Sequence, residues 1–223
     1  MISIVIPTIN EEKNINKTLD KISKIKEILD SEIIIVDDNS QDDTLKIVKS
    51  FNEKLNVKII QNKNKLGLGY ALNKGFKFSK NNFVMFLDAD LSIKKKDLIK
   101  LYKKREINSI IVGSRYSKNS RIYGSNRLKV YISFILNFIT SKIFRLPIVD
   151  ISHSFRIISK KIKIKSKNLS HPGFFWEMTI NAYRGKKTIR EIPISFYDRQ
   201  HGVSKNKSLK MVMSIIRSYI NLL

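Results

Sequence analysis

Asp88 and Asp90 stand one residue apart directly behind the run Phe83-Val84-Met85-Phe86-Leu87. Five apolar residues rich in Phe and Val have the length and composition of a buried strand, so both carboxylates fall at its carboxyl end. In open α/β sheets ligands bind outside the carboxyl ends of the strands, and an Asp-x-Asp there can hold a divalent cation against an anionic substrate. The same three residues also make an ordinary solvated turn. What argues for chemistry is where the remaining acid lies. Six of the eleven aspartates fall in Asp37-Asp38-Asn39-Ser40-Gln41-Asp42-Asp43 and Asp88-Ala89-Asp90, each just after an apolar run. Acid concentrated this way in a chain of formal charge +24 suggests a metal or sugar site.

The elements that must position these carboxylates alternate along the chain. Ile2 to Ile6 reads as a strand closed by Pro7-Thr8, and Asn10-Glu11-Glu12 opens an amphipathic helix with apolar face Ile15, Leu19, Ile22, Ile25 and Leu29. Glu32 to Val36 is a second strand. Asp37 and Asp38 at its end can hydrogen-bond a ribose or base, whereas Ser40-x-x-Asp43 has the spacing of a helix N-cap for Thr44 to Phe51, and Asp42 and Asp43 read as capping acids. Val57 to Ile60 is a third strand, and Gly67-Leu68-Gly69-Tyr70-Ala71-Leu72-Asn73-Lys74-Gly75 lacks the ending and spacing of a phosphate loop, so its glycines read as close helix-to-sheet packing. A helix to Lys104 and a strand Ile110 to Val112 follow, so strand and helix alternate through residue 113 and predict a mostly parallel sheet flanked by helices.

Beyond Tyr116 the character changes. Residues 118–127 read as a mobile loop, and Leu128 to Phe144 as an apolar helix with Lys129, Ser133 and Asn137 on one face, either the solvent face of an amphipathic helix or a functional stripe. Asp150 to Arg156 is a turn into a strand, Lys160 to Lys167 a basic surface segment, Ile189 to Tyr197 a strand and Asp198 to Lys205 a basic loop. Leu209 to Leu223 is an amphipathic tail.

Composition excludes several classes. Without cysteine there is no disulfide framework, thiolate zinc site or thiol nucleophile, and His153, His171 and His201 have no paired metal-ligand spacing. No secretory signal is read, and the longest uncharged run of the second half, Val130 to Ser141, is 12 residues and too short to span a bilayer. A pI near 10.1 would suit nucleic acid, an anionic membrane or a phosphorylated substrate. A nucleic-acid module offers no use for Asp88 and Asp90, and nucleic acid is not an expected partner.

Taken together the motifs resemble the family 2 glycosyltransferases of the GT-A fold, and within them the dolichyl-phosphate (polyprenyl-phosphate) mannose synthases. The matching stretches are Ile6-Pro7-Thr8-x-Asn10-Glu11, Val36-Asp37-Asp38-x-Ser40-x-Asp42-x-Thr44, Gly67-Leu68-Gly69-x-Ala71, Asp88-Ala89-Asp90-Leu91-Ser92, Gly113-Ser114-Arg115-Tyr116, Asp150-x-Ser152-x-Ser154-Phe155-Arg156, and Ile192-Pro193-Ile194-Ser195-Phe196-x-Asp198-Arg199-x-x-Gly202-x-Ser204-Lys205. The first four are common to many family 2 enzymes; the last two, with Gly113 to Tyr116, are particular to polyprenyl-phosphate acceptors. Two places depart from the pattern: His153, where relatives carry a small residue, and Ile93-Lys94-Lys95, in place of a His-x-Pro type continuation.

The resemblance implies one GT-A (Rossmann-like) α/β catalytic domain. Residues 1–116 would form the nucleotide-sugar half, 117–207 a C-terminal acceptor-binding extension and 208–223 an amphipathic tail. It implies that Pro7, Glu11, Val36, Asp37 and Asp38 line the nucleotide pocket and that Asp88 and Asp90 hold the donor diphosphate through Mg²⁺ or Mn²⁺. Arg115, one of Arg127 or Lys129, and Ser133 would hold the lipid phosphate. Arg199 and Lys205 would close over the diphosphate, with Asp90, Arg115 and Arg199 as the catalytic set.

The implied reaction is inverting transfer of mannose from GDP-mannose to dolichyl or polyprenyl phosphate. UDP-glucose as donor fits the same residues, and a saccharide acceptor would need a carboxylate base, for which Glu177 is the candidate. A phosphate nucleophile needs no general base, because it is largely dianionic near neutral pH, its second pKa being about 6. Some relatives carry transmembrane helices and others borrow a small membrane-anchoring subunit. The expectation here is a peripheral enzyme on the cytoplasmic face of a membrane, with such a subunit as a partner.

Overall fold

Runs of Ile and Val that alternate between two buried faces form the centre of the molecule. The computed structural model describes residues 1–90, 92–170, 172–198 and 208–223. Among these residues the strands are β1 (Ser3–Thr8), β2 (Glu32–Asp37), β3 (Val57–Gln61), β4 (Phe83–Phe86), β5 (Ser109–Ser114), β6 (Arg121–Tyr123), β7 (Arg156–Ser159), β8 (Thr188–Pro193) and β9 (Ser195–Tyr197). The helices are α1 (Glu12–Ser23), α2 (Thr44–Lys49), α3 (Leu68–Phe78), α4 (Lys95–Lys103), α5 (Arg127–Ile143), α6 (Gly173–Arg184) and α7 (Ser208–Leu222). Seven strands make one sheet in the order β3-β2-β1-β4-β7-β5-β8, and β6 pairs with β9 in a second, small one. Every pairing in the large sheet is parallel except those of β7, which runs antiparallel to β4 and β5.

Successive residues of a strand point to opposite faces, and here both faces are covered. Ile4 and Ile6 of β1 with Ile33 and Ile35 of β2 pack on Ile15, Leu19 and Ile22 of α1. Val5, Ile34 and Val36 pack on the other side with Ala71, Leu72 and Phe76 of α3 and Phe174 and Trp176 of α6. The chain leaves β1 in one direction for β2 and in the other for β4, so a crevice opens between β1 and β4 at their carboxyl ends. Pro7 fits there. The register of β4 on β1 stops at Val5↔Phe86, so on that side no partner strand lies opposite Pro7 to need the N–H that proline lacks.

Several sequence expectations are corrected. The α1 periodicity stops at Ser23, Ile25 is still buried, and Leu29, beyond a 3-10 turn at Lys26–Ile28, is 40% exposed. Residues 118–127 are not wholly loop, because β6 forms within them. The run Ile189 to Tyr197 is split: Pro193, with no N–H to extend the ladder, is the last residue of β8, and Ser195–Tyr197 cross to pair with β6. Thr44 is not capped by Ser40, whose hydroxyl donates to Asp37; Asp42 takes the Thr44 N–H instead, at 3.1 Å.

Packing of α3 against β1 depends on Gly75. A Cβ there would sit 2.3 Å from Cγ1 of Val5 and 3.1 Å from Cγ2 of Val36, both on stiff β-branched side chains in the sheet. Gly75→Ala is expected to lower the unfolding free energy by about 1–3 kcal/mol through overpacking. Urea denaturation measures it, and an unchanged midpoint would show that α3 can lift off the sheet.

Candidate active site

The turn Asp88-Ala89-Asp90 leaves β4 at the mouth of the crevice and is held from three directions. Thr18 on α1 donates its hydroxyl to the Ala89 carbonyl, and Ser92 donates its own to Asp90 Oδ1 at 2.7 Å. Ser154, 66 residues further along the chain, donates to Asp88 Oδ2 at 2.5 Å. Among the described residues no third His, Cys, Asp or Glu completes a metal-binding group with these two carboxylates. The donor set is therefore all oxygen and short of a full cage. That suits Mg²⁺ or Mn²⁺, hard ions that take one or two carboxylates and complete their shell with water and substrate phosphate.

Beside this turn the loops after β1, β2 and β3 are stitched together. Asn10 and Asn39 adopt left-handed backbone, with φ of 49° and 64°. Asn10 donates its N–H to Ser40 Oγ and accepts from Gln41 N, while Glu11 N donates to Thr44 Oγ1 and Glu12 N to Asp42 Oδ2. Asp37 is fully buried and accepts from Thr8 Oγ1, Ser40 Oγ and Ser40 N. Asp38 accepts from Asn62 Nδ2, Leu66 N and Gly67 N, which pins the loop after β3 where Gly67 takes a φ of 96°. Both carboxylates that the sequence assigns to a nucleotide thus shape the wall of the crevice. Pro7, Glu11 and Val36 lie at the same end of the sheet, Val36 buried, Glu11 bound by Asn14 Nδ2 at 2.7 Å and Pro7 partly exposed.

Because β7 is antiparallel, the segment before it, Asp150 to Phe155, also reaches this rim. Asp150 is buried and takes the Arg115 guanidinium on both oxygens, Nη2 to Oδ1 at 2.8 Å and Nε to Oδ2 at 2.9 Å, together with the Arg115 N–H. Burial works against both charges, and their attraction outweighs it: the Arg115 pKa rises and that of Asp150 falls below the usual carboxylate range. Arg115 Nη2 also donates to Ser152 Oγ, whose other partner is Asn137 Nδ2 on α5. Tyr116 donates to Ser133 Oγ at 2.8 Å, and burial raises its pKa, which keeps the phenol protonated.

The Ser133 and Asn137 part of the polar stripe of α5 is accordingly turned inward, while Lys129 at its start is exposed. Asn137 is 2% exposed, whereas Leu128, Tyr131, Ile132, Ile139 and Ile143 point outward and are about half exposed or more. A cleft of about 380 Å³ opens between the start of α5 and β6, lined by Tyr116, Ile122, Ser125, Arg127, Val130, Tyr131 and Phe134. Arg127 borders this cleft; Lys129, exposed, does not. α7 touches α5 through Thr140 and Tyr219 hydroxyls at 2.8 Å, and it too turns apolar side chains outward, Met213, Ile216 and Ile220. Among the described residues no helix is long and apolar enough to cross a membrane.

Arg199 and Lys205 lie outside the described residues, as do Leu91, His171 and His201. Glu177 is 1% exposed, and its carboxylate takes the N–H groups of Lys167 and Asn168 and the Asn221 amide, so its role is to fix a loop and α7. Motif reading gave no role to Thr18, Ser92, Asp150, Ser152 or Ser154. A polar Thr18 beside the apolar stripe of α1 was the one local signal; Asp150, Ser152 and Ser154 are joined to the site only by the antiparallel return of β7.

A model described as glycosyl transferase family 2 matches residues 3–165. The chain belongs to that family. It is 28% identical over 226 residues to the dolichol-phosphate mannosyltransferase of Pyrococcus furiosus, covering all of this chain and 63% of that protein. An uncharacterised protein of Methanocaldococcus jannaschii is 30% identical over 228 residues, with 96% of each covered. Among solved structures, the glucosyl-3-phosphoglycerate synthase of Mycobacterium tuberculosis with Mn²⁺, UDP and phosphoglyceric acid superposes with a TM-score of 0.70 at 17% identity, over 100% of this chain and 78% of that one. TarS of Staphylococcus aureus with UDP-GlcNAc gives 0.64 at 22%, over 99% and 66%. At these identities the likeness is one of fold, the GT-A fold of family 2 enzymes. The mostly parallel sheet with helices on both faces is therefore the expected architecture of this glycosyltransferase.

His153, where the resemblance leads one to expect a small residue, is buried with Nδ1 bonded to the Gly113 carbonyl at 2.7 Å and its ring edge-on to Phe155 and Phe196. Burial, with Arg115 nearby, pushes its pKa down to about 3. The unfolded value is near 6.5, so between these pH values the unfolded chain binds the extra proton and stability falls as the pH drops. At pH 4 this one group removes about 3 kcal/mol. Denaturant unfolding at pH 7 and pH 4 should show that loss in the wild type and a smaller one in His153→Asn, which keeps a donor for Gly113 and cannot titrate.

Proposed function

We propose that this family 2 glycosyltransferase transfers a hexose, mannose from GDP-mannose in the first instance, to a dolichyl or polyprenyl phosphate with inversion. The observation that carries the reading is the meeting at one rim of two carboxylates, Asp88 and Asp90, with a basic and partly apolar end formed by Arg115, Ser133 and the cleft bordered by Arg127. The Pyrococcus relative's name supports the acceptor and the sugar. UDP in both solved neighbours supports a UDP-sugar, such as UDP-glucose, as the second reading for the donor. A saccharide acceptor is disfavoured, because the Glu177 that would serve as its base is buried and engaged in the fold.

An acceptor phosphate oxygen attacks the anomeric carbon as the bond to the nucleoside diphosphate breaks, and that diphosphate leaves with the electron pair. One displacement turns an α-linked donor into a β-linked lipid-phosphate sugar. Asp88 and Asp90 would hold Mg²⁺ or Mn²⁺, which when bound would neutralise the donor diphosphate and stabilise it as a leaving group. Arg115 spends Nε and Nη2 on Asp150 and Ser152, so Nη1 is the amine to meet an acceptor phosphate. Ser133 accepts from Tyr116 and keeps its own proton to donate. Since the Arg115–Asp150 pair is net neutral, Arg127, the one of Arg127 and Lys129 that borders the cleft, would supply the attraction for a dianion. Arg199 and Lys205 would close on the donor diphosphate.

The enzyme would work from the cytoplasmic face of a membrane. Outward apolar side chains on α5 and α7, on a protein of charge +24, suit an anionic leaflet, where basic and apolar signals act together. A small anchoring subunit would be compatible with that mode.

Purified protein with Mn²⁺ or Mg²⁺ and a short polyprenyl phosphate should transfer sugar from GDP-mannose, and Asp90→Asn should lower the rate at least about a hundredfold. Transfer from UDP-glucose alone would change the donor, and transfer from neither would overturn the reading. Co-sedimentation with anionic vesicles should be strong at low salt and fall in Ile132→Asp/Ile139→Asp; protein left in the supernatant at low salt would refute membrane association.

A further inference from the structure

We propose that Ser154 is a positioning residue for the cation, setting the orientation of Asp88 from a strap whose other residues set Arg115. The inference rests on the metal reading of Asp88 and Asp90. The strap is Asp150 to Ser154. At one end Asp150 and Ser152 bind the Arg115 guanidinium, and at the other Ser154 donates to Asp88 Oδ2 at 2.5 Å.

The strap is braced at each residue between. Glu191 accepts the Val149 and Asp150 N–H groups at 3.0 and 3.2 Å, Asn137 Oδ1 accepts the Ser152 N–H, and His153 Nδ1 bonds to the Gly113 carbonyl. Behind it lies Arg156, a guanidinium with no exposure to solvent. Nη2 donates to the Ile151 carbonyl, both Nε and Nη2 donate to that of His153, Nη1 donates to Thr179 Oγ1, and the plane lies over the Phe175 ring. Its partners are carbonyl and hydroxyl oxygens of its surroundings, so its hydrogen bonds serve to clamp the strap backbone.

A donor carried on so constrained a backbone fixes the rotation of the carboxylate it meets. Asp90 is oriented differently, by Ser92 two residues away in the same turn. Partners behind metal ligands orient them and tune affinity, and their loss typically weakens metal binding 10- to 100-fold. Ser154 would fill that place for Asp88 from the segment leading into the neighbouring strand β7, so that donor and acceptor ends share one rigid support.

The test is Mn²⁺ titration of the full chain, with free Mn²⁺ followed by electron paramagnetic resonance, GDP or UDP present and no acceptor. Ser154→Ala should bind Mn²⁺ about tenfold more weakly, and Ser154→Thr, which keeps the hydroxyl, should restore affinity. Ser152→Ala should raise KM for the acceptor phosphate while leaving the Mn²⁺ titration at the wild-type value. Thermal melts of all three confirm that the fold is retained. Wild-type affinity in Ser154→Ala overturns the proposal, as does equal weakening in Ser152→Ala, which would mark a general loosening of the strap. If the wild type and Asp90→Asn alike take up no Mn²⁺, the metal reading itself fails and this inference falls with it.

Discussion

Asp150 is withdrawn from water and Arg115 largely so, and a pair of this kind holds only while its donors and acceptors are matched. Matching them brings the end of β5, the inner face of α5 and the segment before β7 into one arrangement. Asp150 receives side chain and backbone of Arg115, its own N–H is taken by Glu191, and Ser152 passes the contact on to Asn137. Removing Arg115 would strand the Asp150 carboxylate in a site that cannot hydrate it. The pair contributes position and little field, since its charges cancel.

Along the loops after β1, β2 and β3 a related economy operates with anions. Asp37 and Asp38 sit in a strongly basic protein, yet they are held by hydroxyl, amide and backbone donors instead of lysines. Backbone N–H groups give a carboxylate fixed directions, which long cationic side chains do not. Three loops from three strands therefore behave as one wall. Asp42 extends it, since hydrogen bonds from Thr44 and the Glu12 N–H outweigh burial and hold its carboxyl below the usual range.

Residues 1–116 were legible in the sequence because strand runs and amphipathic helices alternate there, and because acid follows the apolar runs at Val36 and Leu87. The direction of β7 was not, since a four-residue buried run such as Arg156–Ser159 carries no sign of parallel or antiparallel pairing. Residues 121–123 were unreadable for a different reason: β6 is held by β9, more than seventy residues away in the chain. Periodicity found the polar stripe of α5 but not which side of it faces protein. Hydrophobic sorting assumes water outside, and Asn137 inward with Ile132 outward inverts that assumption. Ser154 was visible in a motif without a task, because its task depends on that unread strand direction.

The reversed strand has a further consequence. The chain leaves the sheet at the upper end of β5, travels through β6, α5 and the strap, and returns at that same end through β7. Everything from Arg115 to Phe155 is thus a single excursion whose entry and exit lie side by side. Such a segment can be lengthened, shortened or exchanged without threading the chain through the sheet or altering the order of β1 to β4. A fold built this way can keep one sheet frame and change the rim that faces its crevice by rewriting about forty consecutive residues.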